Sequence, residues 1–207
     1  VLECHDKERF EIFLYSNTEQ EDEVTVRLQQ YGATWRNIAA CSDEEAAAMI
    51  RKDQIDILVD LAGHTSGGRM LLFAGKPAPV QITWLGYPNT TGVKAMDYRI
   101  TDRYADPPGR TERYHTETLL RLPQSFLCYR PHSQAPEVSA LPAMKNGGIT
   151  FGCFNNFAKI TLQTIQLWAK VLQAIPRSRL VLKGLTLGEP EVQAAVKESF
   201  KQLGIAE

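Results

Sequence analysis

The chain has 207 residues, of which 43% are hydrophobic and 23% are charged, and its formal net charge is -1. That length and apolar content suffice for one large domain or two small ones. The near-neutral balance excludes a broad basic face for nucleic acid and an acidic tail, but a local nucleotide site stays possible because net charge describes only the bulk surface.

The first hundred residues alternate between patterns typical of strands and of helices. Ser42 and Glu45 form a capping box, with the serine at the helix start and the glutamate three residues later. The nearly continuous apolar run 55–61 predicts a strand buried on both faces of a parallel sheet. Ser66 is a candidate cap for a short helix. We predict strands over 10–15, 55–61, 79–84 and 96–101, and helices over 21–31, 42–53 and 66–74.

The second half begins with a turn-rich, poorly periodic stretch over 105–123. Residues 130–148 then carry prolines followed by Asn-Gly-Gly, which is linker chemistry. Beyond them the alternation resumes, with predicted strands over 149–154 and 179–183 and predicted helices over 161–175 and 189–203.

This alternation predicts an α/β fold with parallel sheets. We assign residues 1–145 to one domain, incomplete at its start, and residues 146–207 to the beginning of a second. The second is too short to complete a doubly wound sheet, so we expect the chain to be part of a longer protein.

Three segments that follow strands are candidate ligand sites, because open α/β sheets bind ligands beyond the carboxyl ends of their strands. They are the run DLAGHTSGGR at 60–69, the run WLGYPNTTG at 84–92 and the run FGCFNNFAKI at 151–160. The first is either a glycine loop that approaches a ligand closely or a plain connection. It is neither a Walker A loop nor a GxGxxG fingerprint, which disfavours a Rossmann dehydrogenase.

The other two segments indicate more definite chemistry. Aromatic, proline and hydroxyl residues in 84–92 suit a saccharide pocket, although a structural turn explains the glycines and the proline equally well. Lys159 lies just before a predicted helix start at Thr161, where free N–H groups and a lysine charge suit a pyrophosphate. The alternative is an exposed lysine beside a turn. Asp102 is either a catalytic carboxylate or part of a turn.

Neither a metal nor a membrane is indicated. The four cysteines and four histidines are scattered and form neither a CxxC pair nor an HExxH motif. No apolar run approaches the roughly 20 residues that span a bilayer, and the first ten residues lack the apolar core of a signal peptide. We therefore expect no metal, no membrane partner and no nucleic-acid partner.

Four runs in this order, DLAGHTSGGR, PAPVQITWLGYPNTTG, MDYRITD and TFGCFNNFAKI, resemble the catalytic region of O-linked N-acetylglucosamine transferases. The bacterial members and the plant SPINDLY-like relatives are the most similar in style. The resemblance covers nearly the whole chain. It implies a two-lobed GT-B fold, with a Rossmann-like N-terminal catalytic lobe over 1–145 and the start of a Rossmann-like C-terminal lobe after it.

The resemblance also implies roles for individual residues. Lys159 takes the place of the lysine that contacts the donor pyrophosphate. Asn156 stands where animal members carry a nucleotide-contacting glutamine, and His64 stands where they carry tyrosine. The loop beside the donor sugar supplies the candidate sugar contacts Leu85, Gly86, Tyr87 and Pro88, with the hydroxyl residues Thr90 and Thr91 as further candidates.

The implied activity is inverting, metal-independent transfer of N-acetylglucosamine from UDP-N-acetylglucosamine to serine or threonine hydroxyls of cytoplasmic proteins, with no cofactor. The resemblance places catalytic histidines and acceptor-selecting tetratricopeptide repeats upstream of this stretch, and the uracil and ribose contacts downstream, so we expect the stretch alone to be inactive. Two alternatives remain open: a GDP-fucose-dependent protein O-fucosyltransferase of the same fold, and a non-catalytic lobe that docks proteins.

Overall fold

A computed structural model describes residues 1–132 and 134–205 of the chain. Internal contacts divide it into two compact units, Val1–Arg130 and Pro131–Glu207. The division falls at the start of the proline-containing stretch 130–148. The extents of the two lobes, 1–145 and 146–207, stay a prediction.

The first unit consists of parallel strands connected through helices and loops. Strands β1 and β2 form a parallel pair, and β3 to β6 form a four-stranded parallel sheet in sequence order. The predicted α/β class with parallel sheets is therefore confirmed. The strands are β1 (Phe13–Ser16), β2 (Thr34–Asn37), β3 (Ile57–Asp60), β4 (Val80–Thr83), β5 (Tyr98–Asp102) and β6 (Thr118–Leu122), and the helices are α1 (Glu23–Gln29), α2 (Asp43–Lys52) and α3 (Met70–Ala74).

Helix starts follow local chemistry at α2 but not at α3. The predicted capping box of α2 is present: the Ser42 hydroxyl accepts the Glu45 N–H, and the Glu45 carboxylate accepts the Ser42 N–H. The cap predicted at Ser66 is wrong, because α3 begins only at Met70 and has no side-chain cap. Residues 62–68 instead form tight turns, with Gly67 at a φ of +79°.

The core lies on one face of the four-stranded sheet, where buried side chains from α2, β3 and α3 meet. The prediction that β3 is buried on both faces is wrong. Leu58 and Asp60 are buried, whereas Ile57 is 51% and Val59 is 41% exposed. Helices α2 and α3 pack on the face that carries Leu58.

Two strands of this unit were not predicted. Strand β2 is four residues long and contains Arg36 and Asn37, so it lacks a continuous apolar pattern. Strand β6 lies in the stretch assigned to turns, and that assignment is wrong. It occupies the edge of the sheet and pairs only with β5, so burial does not impose a strong pattern on it.

The second unit contains the strands β7 (Thr150–Cys153) and β8 (Arg179–Leu182), which pair in parallel. Its helices are α4 (Pro142–Asn146), α5 (Leu162–Ala174) and α6 (Pro190–Gln202), of which α4 was not predicted. Helix α5 buries Ile165 and Ala169, which lie four residues apart and therefore on one face of the helix. In the described part of the chain, no helix is long and apolar enough to cross a membrane.

Candidate functional site

The loop after β3 is anchored by a buried carboxylate. Asp60 is 3% exposed and accepts hydrogen bonds of 3.0 Å from the backbone N–H groups of Ala62 and Gly63. The Thr83 hydroxyl at the end of β4 donates to the same carboxylate at 2.7 Å. Asp60 therefore fixes the start of the glycine loop and ties it to the neighbouring strand.

Arg69 fixes the other end of this loop. Its guanidinium donates to the carbonyl oxygens of Ile38 and Cys41 at 2.9 and 2.8 Å and to the Asp43 carboxylate at 2.7 Å. The side chain is 15% exposed, so these partners are largely shielded from water. A cavity of about 430 Å³ opens beside this end of the loop and is lined by residues including Asp43, His64 and Arg69.

The loop after β4, residues 85–92, is called the LGYP loop. It packs directly against the glycine loop. A Cβ at Gly86 would lie 2.6 Å from the Ala62 Cα and closer still to the carbonyl oxygen of Leu61, and a Cβ at Gly63 would collide with Tyr87. These two glycines thus allow one loop to approach the other, a role that neither alternative for the glycine loop had included.

The candidate sugar contacts in the LGYP loop differ in exposure. Leu85 and Pro88 are exposed, and Gly86 and Tyr87 are half-buried. Leu85 has a φ of +67°, which is unusual for a residue with a branched side chain. Such backbone strain is found preferentially at functional sites.

His64 contacts the LGYP loop in two ways. Its Nε2 lies 2.7 Å from the carbonyl oxygen of Thr91, and its ring meets the Tyr87 ring edge-on, with the centroids 5.2 Å apart. Because a carbonyl oxygen only accepts, Nε2 carries the proton. The structure thus brings together three of the predicted residues, His64, Tyr87 and Thr91.

Two supports of the LGYP loop were missed by sequence reasoning. Arg99 donates from Nη1 to the carbonyl oxygens of Tyr87 and Asn89 at 2.9 and 2.8 Å. The buried Glu117 carboxylate accepts the hydroxyls of Thr90 and Thr91. Both threonine hydroxyls therefore point toward the protein in this structure, and their direct contact with a donor stays a prediction. A charged residue inside the strand pattern MDYRITD was the only sequence signal for Arg99.

Asp102 is held in a turn. It is 4% exposed and accepts backbone N–H groups of Tyr104 and Ala105 at 2.8 Å and of Phe126 at 2.9 Å. These hydrogen bonds, led by the one from Ala105, lower the pKa of the carboxyl group. The arrangement favours the turn interpretation over a catalytic carboxylate.

In the second unit, Asn156 and Lys159 lie between β7 and α5. The Asn156 side chain accepts the Ala158 N–H at 3.1 Å and begins a single 3-10 turn, Phe157–Lys159. Lys159 is exposed, and its ammonium makes no hydrogen bond or ion pair within the described residues. Thr161 caps α5, so Lys159 lies just before the helix start, as predicted. Free N–H groups and the positive end of the helix dipole suit an anion here.

Among residues 1–132 and 134–205, no three histidine, cysteine, aspartate or glutamate side chains come together as metal ligands. In the first unit, the exposed positions of the LGYP loop are uncharged; in the second unit, the exposed Lys159 is cationic. Metal-independent chemistry stays a prediction.

Comparison with known proteins identifies the family. The family model described as glycosyl transferase family 41 matches residues 1–137. A probable UDP-N-acetylglucosamine–peptide N-acetylglucosaminyltransferase SPINDLY from Petunia hybrida is 44% identical over 99% of this chain and 22% of its own length. The protein of the same name from Oryza sativa subsp. japonica is 48% identical over 88% of this chain and 20% of its own length. This chain therefore spans about a fifth of the length of these relatives.

A solved structure of an O-GlcNAc transferase is also similar to this chain. An O-GlcNAc transferase mutant from Thermobaculum terrenum superposes with a TM-score of 0.92 at 38% identity, over 99% of this chain and 38% of that one. The predicted fold class, an α/β catalytic region of the GT-B type, is therefore confirmed. Because the family model matches more than half of its residues, the chain belongs to glycosyl transferase family 41.

Proposed function

We propose that the protein carrying this chain transfers N-acetylglucosamine from UDP-N-acetylglucosamine to serine or threonine hydroxyls of proteins in the cytoplasm. The observation that carries the proposal is the LGYP loop, which presents an aromatic ring, a proline and a strained leucine beyond the carboxyl end of β4. The SPINDLY relatives are named for UDP-N-acetylglucosamine as donor and a peptide as acceptor, which supports both parts of the proposal.

Lys159 is the proposed pyrophosphate contact. Its exposed ammonium and the N-terminus of α5 both favour a negative ligand. As the bond between the sugar and the diphosphate breaks, negative charge grows on the leaving oxygens, and a fixed positive group stabilises it. Loss of one such contact typically costs roughly 2–4 kcal/mol in the transition state. Asn156, three residues earlier, is the proposed nucleotide contact.

The proposed reaction is a direct displacement. The acceptor hydroxyl attacks the anomeric carbon on the face opposite the diphosphate. One C–O bond forms as the other breaks, the electron pair of the broken bond leaves on the oxygen of UDP, the hydroxyl proton is released to the leaving diphosphate or to water, and the configuration inverts. The positive groups replace a metal ion, and no cofactor takes part. Further groups of the longer protein, including acceptor-selecting repeats, complete the site in this proposal, and the present stretch alone is inactive.

The test is calorimetric titration of the full-length protein with UDP and, in parallel, with GDP. Lys159→Ala is compared with Lys170→Ala, which removes an exposed lysine from the interior of α5. We expect the unmodified protein to bind UDP. The affinity for UDP should fall at least tenfold in Lys159→Ala, which is a loss of about 1.4 kcal/mol in binding free energy, and should not change in Lys170→Ala.

Each other outcome has a definite meaning. Preference for GDP over UDP would replace the proposed donor by GDP-fucose. Equal binding by the Lys159→Ala and Lys170→Ala variants would remove the pyrophosphate role from Lys159. A folded protein that binds neither nucleotide would overturn the enzyme proposal and leave the protein-docking lobe.

A further inference from the structure

We propose that Glu117 and Arg99 are positioning residues for donor binding, which hold the LGYP loop in the shape that receives the sugar. The inference rests on the proposed function, because that proposal makes the loop the sugar contact. We expect neither residue to contact the donor. Both act through backbone and hydroxyl groups of the loop.

Glu117 holds the second half of the loop. Its side chain is fully buried. Oε1 accepts the Thr91 N–H at 2.7 Å and also the Thr91 hydroxyl, while Oε2 accepts the Thr90 hydroxyl at 2.8 Å. Burial alone would raise the pKa of Glu117, but the hydrogen bonds from Thr91 and Thr90 outweigh it and hold the pKa below its ordinary value. Glu117 is therefore an anion at neutral pH, and hydrogen bonds to an ionised acceptor are the stronger kind.

Arg99 holds the first half of the loop from β5. It is 4% exposed, and one nitrogen, Nη1, donates to the carbonyl oxygens of both Tyr87 and Asn89. These carbonyls flank Pro88, which itself has no N–H to donate. The guanidinium thus fixes the backbone on both sides of the proline.

One buried cluster joins the two supports. Asp106 lies 3.9 Å from Nε of Arg99 and 3.1 Å from Nε2 of His115. The side chain of His115 is 5% exposed, and its Nδ1 lies 4.0 Å from the Glu117 carboxylate. Arg99, Asp106, His115 and Glu117 therefore form a continuous series of charged or titratable groups beneath the loop.

This arrangement bears on sugar affinity because a mobile loop must be ordered when it binds a ligand. Immobilising side chains costs roughly 0.5–1.5 kcal/mol for each one, and a preformed loop avoids that cost. Leu85 adds a reason for external support, since its φ of +67° is unfavourable for leucine. Loss of either support should weaken binding of the sugar and leave binding of the nucleotide alone intact.

The experiment compares the affinities of the full-length protein for UDP-N-acetylglucosamine and for UDP, by calorimetry. If the unmodified protein binds GDP more tightly than UDP, the two ligands compared are GDP-fucose and GDP. The variants are Glu117→Gln and Arg99→Lys. The matched control is Asp53→Asn, since Asp53 is a shielded carboxylate that bonds Tyr15 and Arg36 and does not contact the LGYP loop.

We expect each of the two variants to bind the sugar donor at least fivefold more weakly while its affinity for the nucleotide changes less than twofold. In the control Asp53→Asn, we expect the ratio of the affinity for the sugar donor to the affinity for the nucleotide to equal that of the unmodified protein. A purely structural role would lower the fraction of active protein for both ligands alike, which the binding stoichiometry reports. An unchanged ratio in Glu117→Gln and Arg99→Lys, with nucleotide binding retained, would overturn the positioning role and leave the proposed function intact.

Milder changes keep the test decisive if the first variants do not fold. Thr91→Val removes the hydroxyl that reaches Glu117 but keeps the backbone N–H, and Thr91→Ser restores the hydroxyl. We expect weaker sugar binding in Thr91→Val and recovery in Thr91→Ser. Equal sugar affinity in both would refute the inference, whereas failure of the unmodified protein to bind either nucleotide refutes the proposed function and this inference with it.

Discussion

Replacing Gly86 by alanine puts a methyl group into the backbone of the neighbouring loop. The new Cβ would lie 2.6 Å from the Cα of Ala62, whereas ordinary van der Waals contact begins at 3.4 Å. The obstructing atoms belong to the main chain between Leu61 and Ala62, so no side chain can rotate away. That main chain is in turn tied to Asp60. One of the two loops must therefore move.

The structure sets the size of the effect. Overpacking of a well-packed site usually costs about 1–3 kcal/mol, and we expect the upper end because backbone atoms collide. For a chain of this length, 3 kcal/mol lowers the Tm by roughly 6–12 °C. Displacement of the LGYP loop should also weaken sugar-donor binding.

Differential scanning calorimetry of Gly86→Ala beside Gly109→Ala separates collision from backbone strain. Gly109 has a φ of +75° but open space around its Cβ position, so alanine there costs only the conformational term of about 1–2 kcal/mol. Gly86 lacks a positive φ. A Tm for Gly86→Ala that equals or exceeds that of Gly109→Ala would refute the close-approach argument.

Two further predictions concern stability. Arg69→Lys should lower the free energy of unfolding by about 2 kcal/mol in urea titration, because an ammonium cannot replace the guanidinium at the carbonyls of Ile38 and Cys41. Arg51→Lys, at an exposed arginine with one carbonyl partner, should change it by less than about 0.5 kcal/mol. The second prediction concerns pH. The lowered pKa of Glu117 adds stability that is present above its ordinary value of 4.5 and is lost as the pH falls through the folded value. The stability gap between the unmodified protein and Glu117→Gln should therefore shrink from pH 7 to pH 3, and a constant gap would contradict it.

Several signals that depend on neighbouring residues along the chain were read correctly, although the cap predicted at Ser66 was wrong. The capping box at Ser42 requires only the serine and a glutamate three residues later, and it is present. The strand β7, the lysine that follows it and the start of α5 also lie within about a dozen residues. Local propensity and caps decide such elements, so the sequence suffices.

Features that depend on distant partners were missed. Strand β6 is defined by pairing with β5, and its own pattern is weak. Glu117 meets Thr91 from 26 positions away, and Arg99 meets Tyr87 from 12. A charged residue in a single sequence is normally read as solvated, because charged side chains are rarely buried without partners. Only the fold supplies those partners.

The two faces of the four-stranded sheet show why the prediction that β3 is buried on both faces was wrong. The covered face carries Gln81, Thr83, Arg99 and Thr101, all at most 4% exposed, while Ile57 on the opposite face is half exposed. If apolar side chains alone were expected to be buried, the face with Ile57 would be assigned to the interior and the face with Gln81 and Arg99 to the solvent, which is the reverse of the structure. The polar face lies inside because α2, α3 and the loops at the carboxyl edge cover it and offer backbone oxygens to its side chains. These backbone oxygens require hydrogen-bond partners away from water. Polar strand residues that end beneath glycine-rich loops are therefore better interpreted as supports of a binding site than as a solvent-facing row.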